Sequence, residues 1–277
     1  MNKTMQLKAR IKNLASKNHI PAQAVLQNYM LERLLERLSV SNFKDRFVLK
    51  GGMLISSLVG INSRTTMDMD DMLRNYPLSE STIRPVLQEI CGIQLDDEVN
   101  FSLERIFPIR EDDEYGGYRV AVIAKYETIR TPLKIDITAG DVITPNAIRY
   151  DFPLNFENRV IKIWTYNIET VLAEKVETIL RRSVLNTRPR DYYDVYILMK
   201  TRMEAINKEI LRDALKATSE KRASLLALEN WELILDEIHS DATMRQRWNR
   251  YCQDNYYARW IGFDDVIKVL REIVEQI

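Results

Sequence analysis

The sequence has few cysteines and histidines and no long apolar run. Among its 277 residues are only two cysteines, Cys91 and Cys252, and two histidines, His19 and His239. Neither cysteine has a second cysteine or a histidine at metal-ligand spacing, which argues against a disulfide scaffold and a zinc site. No apolar run is long enough to cross a bilayer, and the basic N-terminus lacks the apolar stretch of a secretory signal. We therefore expect a protein of the reducing cytoplasm that has no membrane partner.

The sequence also has no net charge, because 40 Lys and Arg side chains balance 40 Asp and Glu side chains. This balance excludes a wholly basic nucleic-acid binder and a long tail of like charge. It does not exclude a local basic face, since the net charge averages such a face away. The hydrophobic content of 45% is sufficient to build the cores of one large domain or two moderate ones.

Hydrophobic periodicity divides the chain into a mixed first part and a helical second part. Two amphipathic helices are predicted between Met5 and Ser39, interrupted at Pro21. Alternation and β-branched residues predict strands at 47–50, 65–73, 99–109, 118–127 and 133–140, with helices at 53–60 and 79–91. From about Asn167 the strand pattern disappears, and helices are predicted at 168–182, 190–200, 206–218 and 263–277. We expect an α/β (α+β) fold with a mixed-sheet domain at 1–166 and a helical domain at 167–277.

One alternating stretch places two carboxylates side by side. Successive side chains of a strand point to opposite faces, so Asp68 and Asp70 share one face while Met67 and Met69 take the other. Carboxylates this close repel each other unless a cation compensates them, and hard oxygen ligands favour Mg²⁺ or Mn²⁺. The triplet alone is also expected on a solvated strand face. Arg64, just before the strand, could reach a phosphate or pin the strand by pairing with one of these aspartates.

Two further segments add the parts that phosphoryl transfer requires. Upstream, Lys50, Gly51 and Gly52 end a strand and open a helix, where free helix N–H groups attract a phosphate that approaches the backbone closely. Downstream, Asp136 lies on the polar face of another alternating strand, beside Lys134. A glycine turn, a DxD strand and a third carboxylate together provide metal ligands and a group able to orient or deprotonate an attacking hydroxyl.

These motifs resemble those of a known family. The segment LKGG, the helix after it and the sequence RTTMDMD at 64–70 are similar to the hG(G/S) and DxD motifs of the polymerase-β nucleotidyltransferase superfamily. More narrowly, the chain resembles the AbiEii/AbiGii toxin family, MenT-type toxins included, in which an R-x-S/T-x-D-x-D segment follows the glycine motif. The segments LAEKV at 172–176 and RPRDYYD at 188–194 resemble the later lysine and R-D-x-x-D motifs of that family. Order and spacing agree over roughly residues 1–200.

The resemblance implies a nucleotidyltransferase-like mixed sheet flanked by helices, followed by a helical domain that completes the active-site cleft. The implied catalytic residues are Asp68, Asp70, Asp136, Lys175 and either Asp191 or Asp194 as the late aspartate, and the first three hold Mg²⁺ or Mn²⁺. The implied nucleotide-binding residues are Lys50, Gly51, Gly52, Arg64, Thr66 and Arg190. The chain departs from the family at Gly52, where many relatives have a serine whose hydroxyl touches phosphate.

Residue chemistry leaves a structural role open for the later motifs. Lys175 suits a triphosphate clamp, because an ammonium group on a long stem can follow charge on a phosphate. On a helix face it could instead pair with Glu174 or Glu177. Asp191 and Asp194 are i,i+3 in the first turns of a predicted helix, where carboxylates also act as helix-start charges.

Three basic segments are candidates for contact with RNA: 8–17, 181–190 and 245–260. The third interleaves tryptophans and tyrosines, which either stack on unpaired bases or pack as helix core. The family resemblance implies a toxin of a toxin–antitoxin or phage-defence pair that transfers a nucleotide from an NTP to RNA, most specifically to the tRNA 3′ end, with a cognate antitoxin as partner. The alternatives are transfer to a small molecule or a protein side chain, and a module that binds NTP without chemistry.

Overall fold

The computed structural model describes residues 3–109 and 116–275. The chain divides into two compact units, the first comprising Met1–Gly140 and Ile148–Thr165 and the second comprising Asp141–Ala147 and Tyr166–Ile277. The segment Asp141–Ala147 was assigned to the first domain from the sequence. It belongs to the second unit because Asn167, at the start of that unit's first helix, donates its side-chain amide to the Thr144 carbonyl at 2.7 Å.

A seven-stranded mixed sheet forms the body of the first unit. Its strands are β1 (Phe47–Lys50), β2 (Asp68–Leu73), β3 (Val99–Pro108), β4 (Gly117–Tyr126), β5 (Ile129–Ala139), β6 (Ile148–Pro153) and β7 (Val160–Thr165). The spatial order is β3-β4-β5-β2-β1-β7-β6. Strand β2 pairs in parallel with β5, and β1 pairs in parallel with β7, whereas the other neighbouring strands are antiparallel. The five predicted strands, β1 to β5, are therefore confirmed.

The strands β6 and β7 were not predicted from the sequence. In β6 only Phe152 is buried, so this edge strand shows no alternating apolar face. Strand β7 does alternate, with Ile161 and Ile163 buried, Val160 and Lys162 exposed and Trp164 half-buried, and its pattern was available in the sequence.

Four helices accompany the sheet: α1 (Lys3–Asn18), α2 (Ala22–Val40), α3 (Gly51–Val59) and α4 (Glu80–Gly92). All four were predicted. Helix α4 begins after Ser79 because the serine hydroxyl accepts from the Thr82 N–H, while the Thr82 hydroxyl accepts from the Ser79 N–H.

Helix α2 is bound to the sheet by a buried ion pair as well as by apolar side chains. The Arg37 side chain is 0% exposed and donates to both carboxylate oxygens of Asp97, at 2.7 Å and 2.8 Å. The same guanidinium donates to the Val99 carbonyl at the start of β3. A charge this deeply buried is tolerated because its donors are engaged, so the pair fixes α2 against the segment that enters β3.

The second unit is helical in the part of the chain that the structure describes. Its helices are α5 (Ile168–Arg182), α6 (Pro189–Arg202), α7 (Lys208–Lys221), α8 (Leu225–Glu229), α9 (Trp231–Ser240), α10 (Ala242–Asp254) and α11 (Phe263–Val274). The four predicted helices correspond to α5, α6, α7 and α11, although residues 276–277 of the last prediction lie outside the described residues. Among the described helices, none has the length and apolar content needed to span a membrane.

Asp71 is an acidic residue in the core of the sheet. It pairs with Leu49 on β1 and Ile137 on β5, is 1% exposed, and neither of its carboxylate oxygens has a hydrogen-bond partner within the described residues. Burial is the main cause that raises its pKa from 3.8 to about 7, with the neighbouring charge of Asp70 as the second cause.

This pKa predicts how Asp71→Asn changes stability. Between pH 4 and pH 7 the unfolded chain loses the Asp71 proton before the folded chain does, so this residue makes the wild type less stable as the pH rises. The amide cannot ionise, and the stability of the variant relative to wild type should increase over this window, by at most about 4 kcal/mol. Urea unfolding at several pH values with a chelator present measures the difference. A difference independent of pH contradicts the prediction, and Asp96→Asn, at an exposed position, is the control.

Candidate active site

Three carboxylates share one face of the sheet where β2 and β5 run side by side. Asp68 and Asp70 flank Met69, which is 2% exposed and points to the opposite face. Asp136 lies between two buried isoleucines on β5 and is the register partner of Asp70. Since residues that pair across a ladder point to the same face, Asp70 and Asp136 are neighbours. The three acidic side chains therefore face the same side of the sheet.

An arginine that the sequence analysis did not single out compensates this acidic face. Arg119 on β4 is the register partner of Asp136 and donates to it twice, from Nε to Oδ1 at 2.7 Å and from Nη2 to Oδ2 at 2.6 Å. The pKa of Arg119 is raised, most by the hydrogen bond to Asp136 and further by the charges of Asp68 and Asp70. A guanidinium group therefore supplies the positive charge that the three carboxylates require.

The oxygen atoms of these carboxylates are suitable ligands for a divalent cation. Within the described ranges, no group of three or more His, Cys, Asp or Glu side chains stands ready to hold a metal ion. Both oxygens of Asp136 accept from Arg119, so Asp136 could contribute to a cation site only once this ion pair opens. Carboxylate oxygens of this kind match Mg²⁺ or Mn²⁺.

The glycine turn lies directly against this acidic face. Gly51 has φ of +64°, and a Cβ atom there would lie 2.2 Å from Oδ2 of Asp70. Both conditions require glycine. The Gly52 N–H, in the first turn of α3, points to the same Asp70 oxygen at 3.4 Å, and Lys50 is the register partner of Asp70. The start of α3 thus presents backbone N–H groups beside the carboxylates, as a phosphate site requires.

The neighbours of Gly52 explain why this chain departs from the glycine-serine pattern. A Cβ atom at position 52 would lie 2.8 Å from Oγ1 of Thr66 and 3.2 Å from Nη2 of Arg64. Both side chains are buried, at 5% and 2% exposure. The Thr66 hydroxyl occupies the space that a serine at position 52 would need, so the site retains a hydroxyl beside the turn. The Arg64 guanidinium donates to the Thr65 carbonyl and lies on the buried side of the turn.

The later motifs form a separate ion cluster within the second unit. Lys175 on α5 donates to Oδ1 of Asp191 and lies 3.2 Å from Oδ2 of Asp194, both on α6. The lysine side chain is 19% exposed, whereas the two aspartate side chains are 5% and 0% exposed. The i,i+3 spacing therefore directs both carboxylates to one ammonium group. Lys175 alone in this cluster reaches appreciably towards the surface.

The glutamates that were considered as partners of Lys175 form ion pairs with Arg222. Its Nη2 lies 3.0 Å from Glu174 and its Nη1 lies 2.6 Å from Glu177. Arg190, in the first turn of α6, is exposed. The predicted site residues thus form one group around the glycine turn in the first unit and another around Lys175 in the second.

The aromatic segment 245–260 serves mainly as packing. Trp248 is 1% exposed and lies 6.1 Å from the Phe263 ring, while the rings of Tyr257 and Tyr193 lie 4.8 Å apart. The interpretation as helix core is therefore confirmed for these side chains. Trp260 differs, since it is 91% exposed.

The chain matches a protein family and several solved structures. The family described as Nucleotidyl transferase AbiEii toxin, Type IV TA system, matches residues 33–268. Among solved structures, the nucleotidyltransferase toxin MenT4 of Mycobacterium tuberculosis H37Rv is similar with a TM-score of 0.56 and 14% identity, covering 96% of this chain and 98% of that chain. JHP933 of Helicobacter pylori is similar with a TM-score of 0.47 and 18% identity, covering 92% and 94%. The comparison with curated proteins gave no match.

The likeness to MenT4, at low identity over nearly the full length of both chains, establishes the nucleotidyltransferase fold. The family match is the stronger finding, because it covers most of the 277 residues. It also includes the glycine turn, the DxD strand and the Lys175 cluster. This chain belongs to the AbiEii family of nucleotidyltransferase toxins.

Proposed function

We propose that this nucleotidyltransferase uses Mg²⁺, with Mn²⁺ as a substitute, to transfer NMP from an NTP to the 3′ end of tRNA. The observation that supports this proposal is the arrangement of Asp68, Asp70 and Asp136 on one face beside the first turn of α3. A bound divalent ion would neutralise charge on the triphosphate and on the attacking oxygen. Asp68 and Asp70 would hold it.

The residues of the first unit have distinct roles in this proposal. The backbone N–H groups at Gly51 and Gly52 bind the triphosphate, as the start of a helix does for other anions. Thr66 supplies the hydroxyl beside them, and Arg64 holds the turn in place. Asp136 orients the terminal ribose hydroxyl and accepts its proton.

In the transfer step, the ribose hydroxyl oxygen forms a bond to the α-phosphorus of the NTP. The bond from that phosphorus to the bridging oxygen breaks, and pyrophosphate leaves with the electron pair. The proton passes to the Asp136 carboxylate and then to solvent. In the second unit, we assign a catalytic role to Lys175, which Asp191 and Asp194 orient, and nucleotide binding to exposed Arg190, as the family's lysine and R-D-x-x-D motifs imply.

The family also bears on the partners. Its description as the toxin of a Type IV TA system supports an antitoxin partner. The proposed tRNA acceptor implies action in the cytoplasm. Phage defence is a role that such a toxin can serve. The alternatives, a protein side chain or a small molecule as acceptor and an NTP-binding module without chemistry, give different outcomes in the experiment that follows.

The first test is label transfer by the wild type and by Asp68→Asn. The purified chain is incubated with Mg²⁺, unfractionated tRNA and each α-labelled NTP in turn, and label should appear on RNA in the wild type only. The loss should be about a thousandfold, because a ligand of the proposed ion is removed.

Three controls make this outcome specific. Periodate-oxidised tRNA, which has no terminal diol, should accept no label. Asp96→Asn, an exposed acidic position, should transfer like the wild type. Label found only on protein or on a small molecule refutes the RNA acceptor, and transfer by Asp68→Asn at the wild-type rate refutes the assigned site.

A second prediction concerns Arg119. Its guanidinium competes with a divalent ion for Asp136 and repels that ion, so Arg119→Gln should bind Mn²⁺ several-fold more tightly than the wild type. Titration calorimetry with Mn²⁺ and no nucleotide measures this directly. Arg130→Gln removes the same charge at an exposed position of β5 and should leave the affinity unchanged. Equal Mn²⁺ affinity in all three proteins would show that the Arg119 ion pair is independent of the ion.

A third prediction separates the structural and chemical roles of Lys175. Lys175→Met leaves Asp191 and Asp194 without this ammonium group and should lower stability by about 3 kcal/mol as well as abolish transfer. The triple variant K175M/D191N/D194N carries no charge at these three positions and should recover most of the stability while transferring no label. Thermal unfolding and label transfer are measured on the same preparations. Transfer restored in the triple variant would assign Lys175 a structural role alone.

A further inference from the structure

A cluster of arginines around one tryptophan lies at the end of β1 and β2 away from the carboxylates. The arginine–tryptophan cluster comprises Asp45, Arg46, Arg74, Arg149 and Trp164. Arg46 immediately precedes β1 and Arg74 immediately follows β2, and the Arg74 N–H donates to the Arg46 carbonyl at 2.8 Å. The cluster lies entirely within the first unit.

Trp164 and Asp45 hold the arginines in place. The guanidinium carbons of Arg74 and Arg149 lie 4.1 Å and 4.3 Å from the centre of the Trp164 ring. The indole N–H donates to Oδ1 of Asp45 at 2.8 Å, and the same oxygen accepts from Arg149. Arg74 also donates from Nε to the Asp45 carbonyl at 2.9 Å. Stacking on an indole and hydrogen bonding to fixed acceptors leave these guanidinium groups ordered before any ligand arrives.

The cluster carries more positive than negative charge. The Asp45 carboxylate pairs with Arg149, whereas Arg74 and Arg46 donate to the backbone carbonyls of Asp45 and Asn75. Exposed Lys44 adds a further positive charge. The pKa of Arg74 is lowered, most by burial and further by the positive charges of Arg149 and Arg46. The negative charge of Asp45 acts in the opposite direction. Each guanidinium has five N–H donors, and the contacts above engage only a few of them.

We infer that the arginine–tryptophan cluster binds the phosphate backbone of the RNA acceptor. Ordered arginines with spare donors match phosphate oxygens in charge and geometry. The aromatic pair Phe43 and Tyr76 flanks the cluster, with ring centres 6.1 Å apart, and offers half-exposed rings to unpaired bases. A protein partner would have to supply a cluster of carboxylates to match this excess of positive charge, whereas a nucleic-acid backbone carries one negative charge on every phosphate.

The cluster also lies at a suitable distance from the proposed chemistry. Arg74 is four residues beyond Asp70 along the same extended segment, which corresponds to about 13 Å. An RNA chain whose end lies at the carboxylates can span this separation with its last few nucleotides. The inference rests on the proposed RNA acceptor and adds the surface that holds it.

The test is binding of fluorescent unfractionated tRNA, without NTP so that no transfer occurs, at several salt concentrations. The variant Arg74→Gln with Arg149→Gln should bind about tenfold more weakly than the wild type, and its affinity should depend less steeply on salt because fewer counterions are released. The matched control is Arg84→Gln with Arg130→Gln, which removes the same charge from the same unit and should bind like the wild type. Affinity for a fluorescent NTP analogue should be equal in all three.

The other outcomes are equally informative. Equal tRNA affinity in the two double variants overturns the inference, as does a loss confined to binding of a protein partner. A wild type that binds no tRNA refutes the acceptor of the proposed function itself. If thermal unfolding shows that Arg74→Gln disturbs the fold, Arg46→Gln with Arg149→Gln replaces it, since both of those arginines are exposed. That pair must then show the same selective loss.

Discussion

Mutual repulsion among three carboxylates on adjacent strands is the constraint on which the rest of this site depends. On one face of a sheet, Asp68, Asp70 and Asp136 repel one another, so this face favours a positive group beside them. Arg119 fulfils that requirement through a two-point ion pair with Asp136. The same requirement makes the face receptive to a divalent cation, since whatever replaces the guanidinium must also be positive. The Arg119 ion pair and the proposed binding of a cation therefore meet the same electrostatic requirement.

Two other clusters of charged residues also depend on how positive and negative side chains balance locally. In the second unit, Asp191 and Asp194 share Lys175, which orients the lysine and gives two buried carboxylates a positive partner. At the far end of β1 and β2 the balance is reversed, because the arginines outnumber the single carboxylate of Asp45. Local imbalances of both signs therefore exist in a chain whose net charge is zero. An ion of the opposite sign binds most favourably at the surface where such an excess of charge lies.

Much of this architecture could be predicted from periodicity, because the strands around the acidic face are buried on one side and alternate clearly. The edge strand β6, with Phe152 as its buried residue, carried no such pattern. Arg119 was missed because pairing between strands depends on register. Counting back from the two-residue turn at 127–128 pairs position 119 with Asp136, so the signal existed once that turn was recognised. The arginine–tryptophan cluster joins distant segments, and no local pattern predicts it.

The central claim is that the face formed by Asp68, Asp70 and Asp136 takes a divalent cation together with the triphosphate. A crystal grown with Mn²⁺ and a non-hydrolysable NTP, with anomalous scattering recorded at the manganese edge, tests this most directly. The account predicts manganese bound by Asp68 and Asp70, phosphates against the Gly51 and Gly52 backbone, and an open Arg119–Asp136 pair. Nucleotide bound elsewhere, with no manganese at these carboxylates and the ion pair still closed, would contradict it.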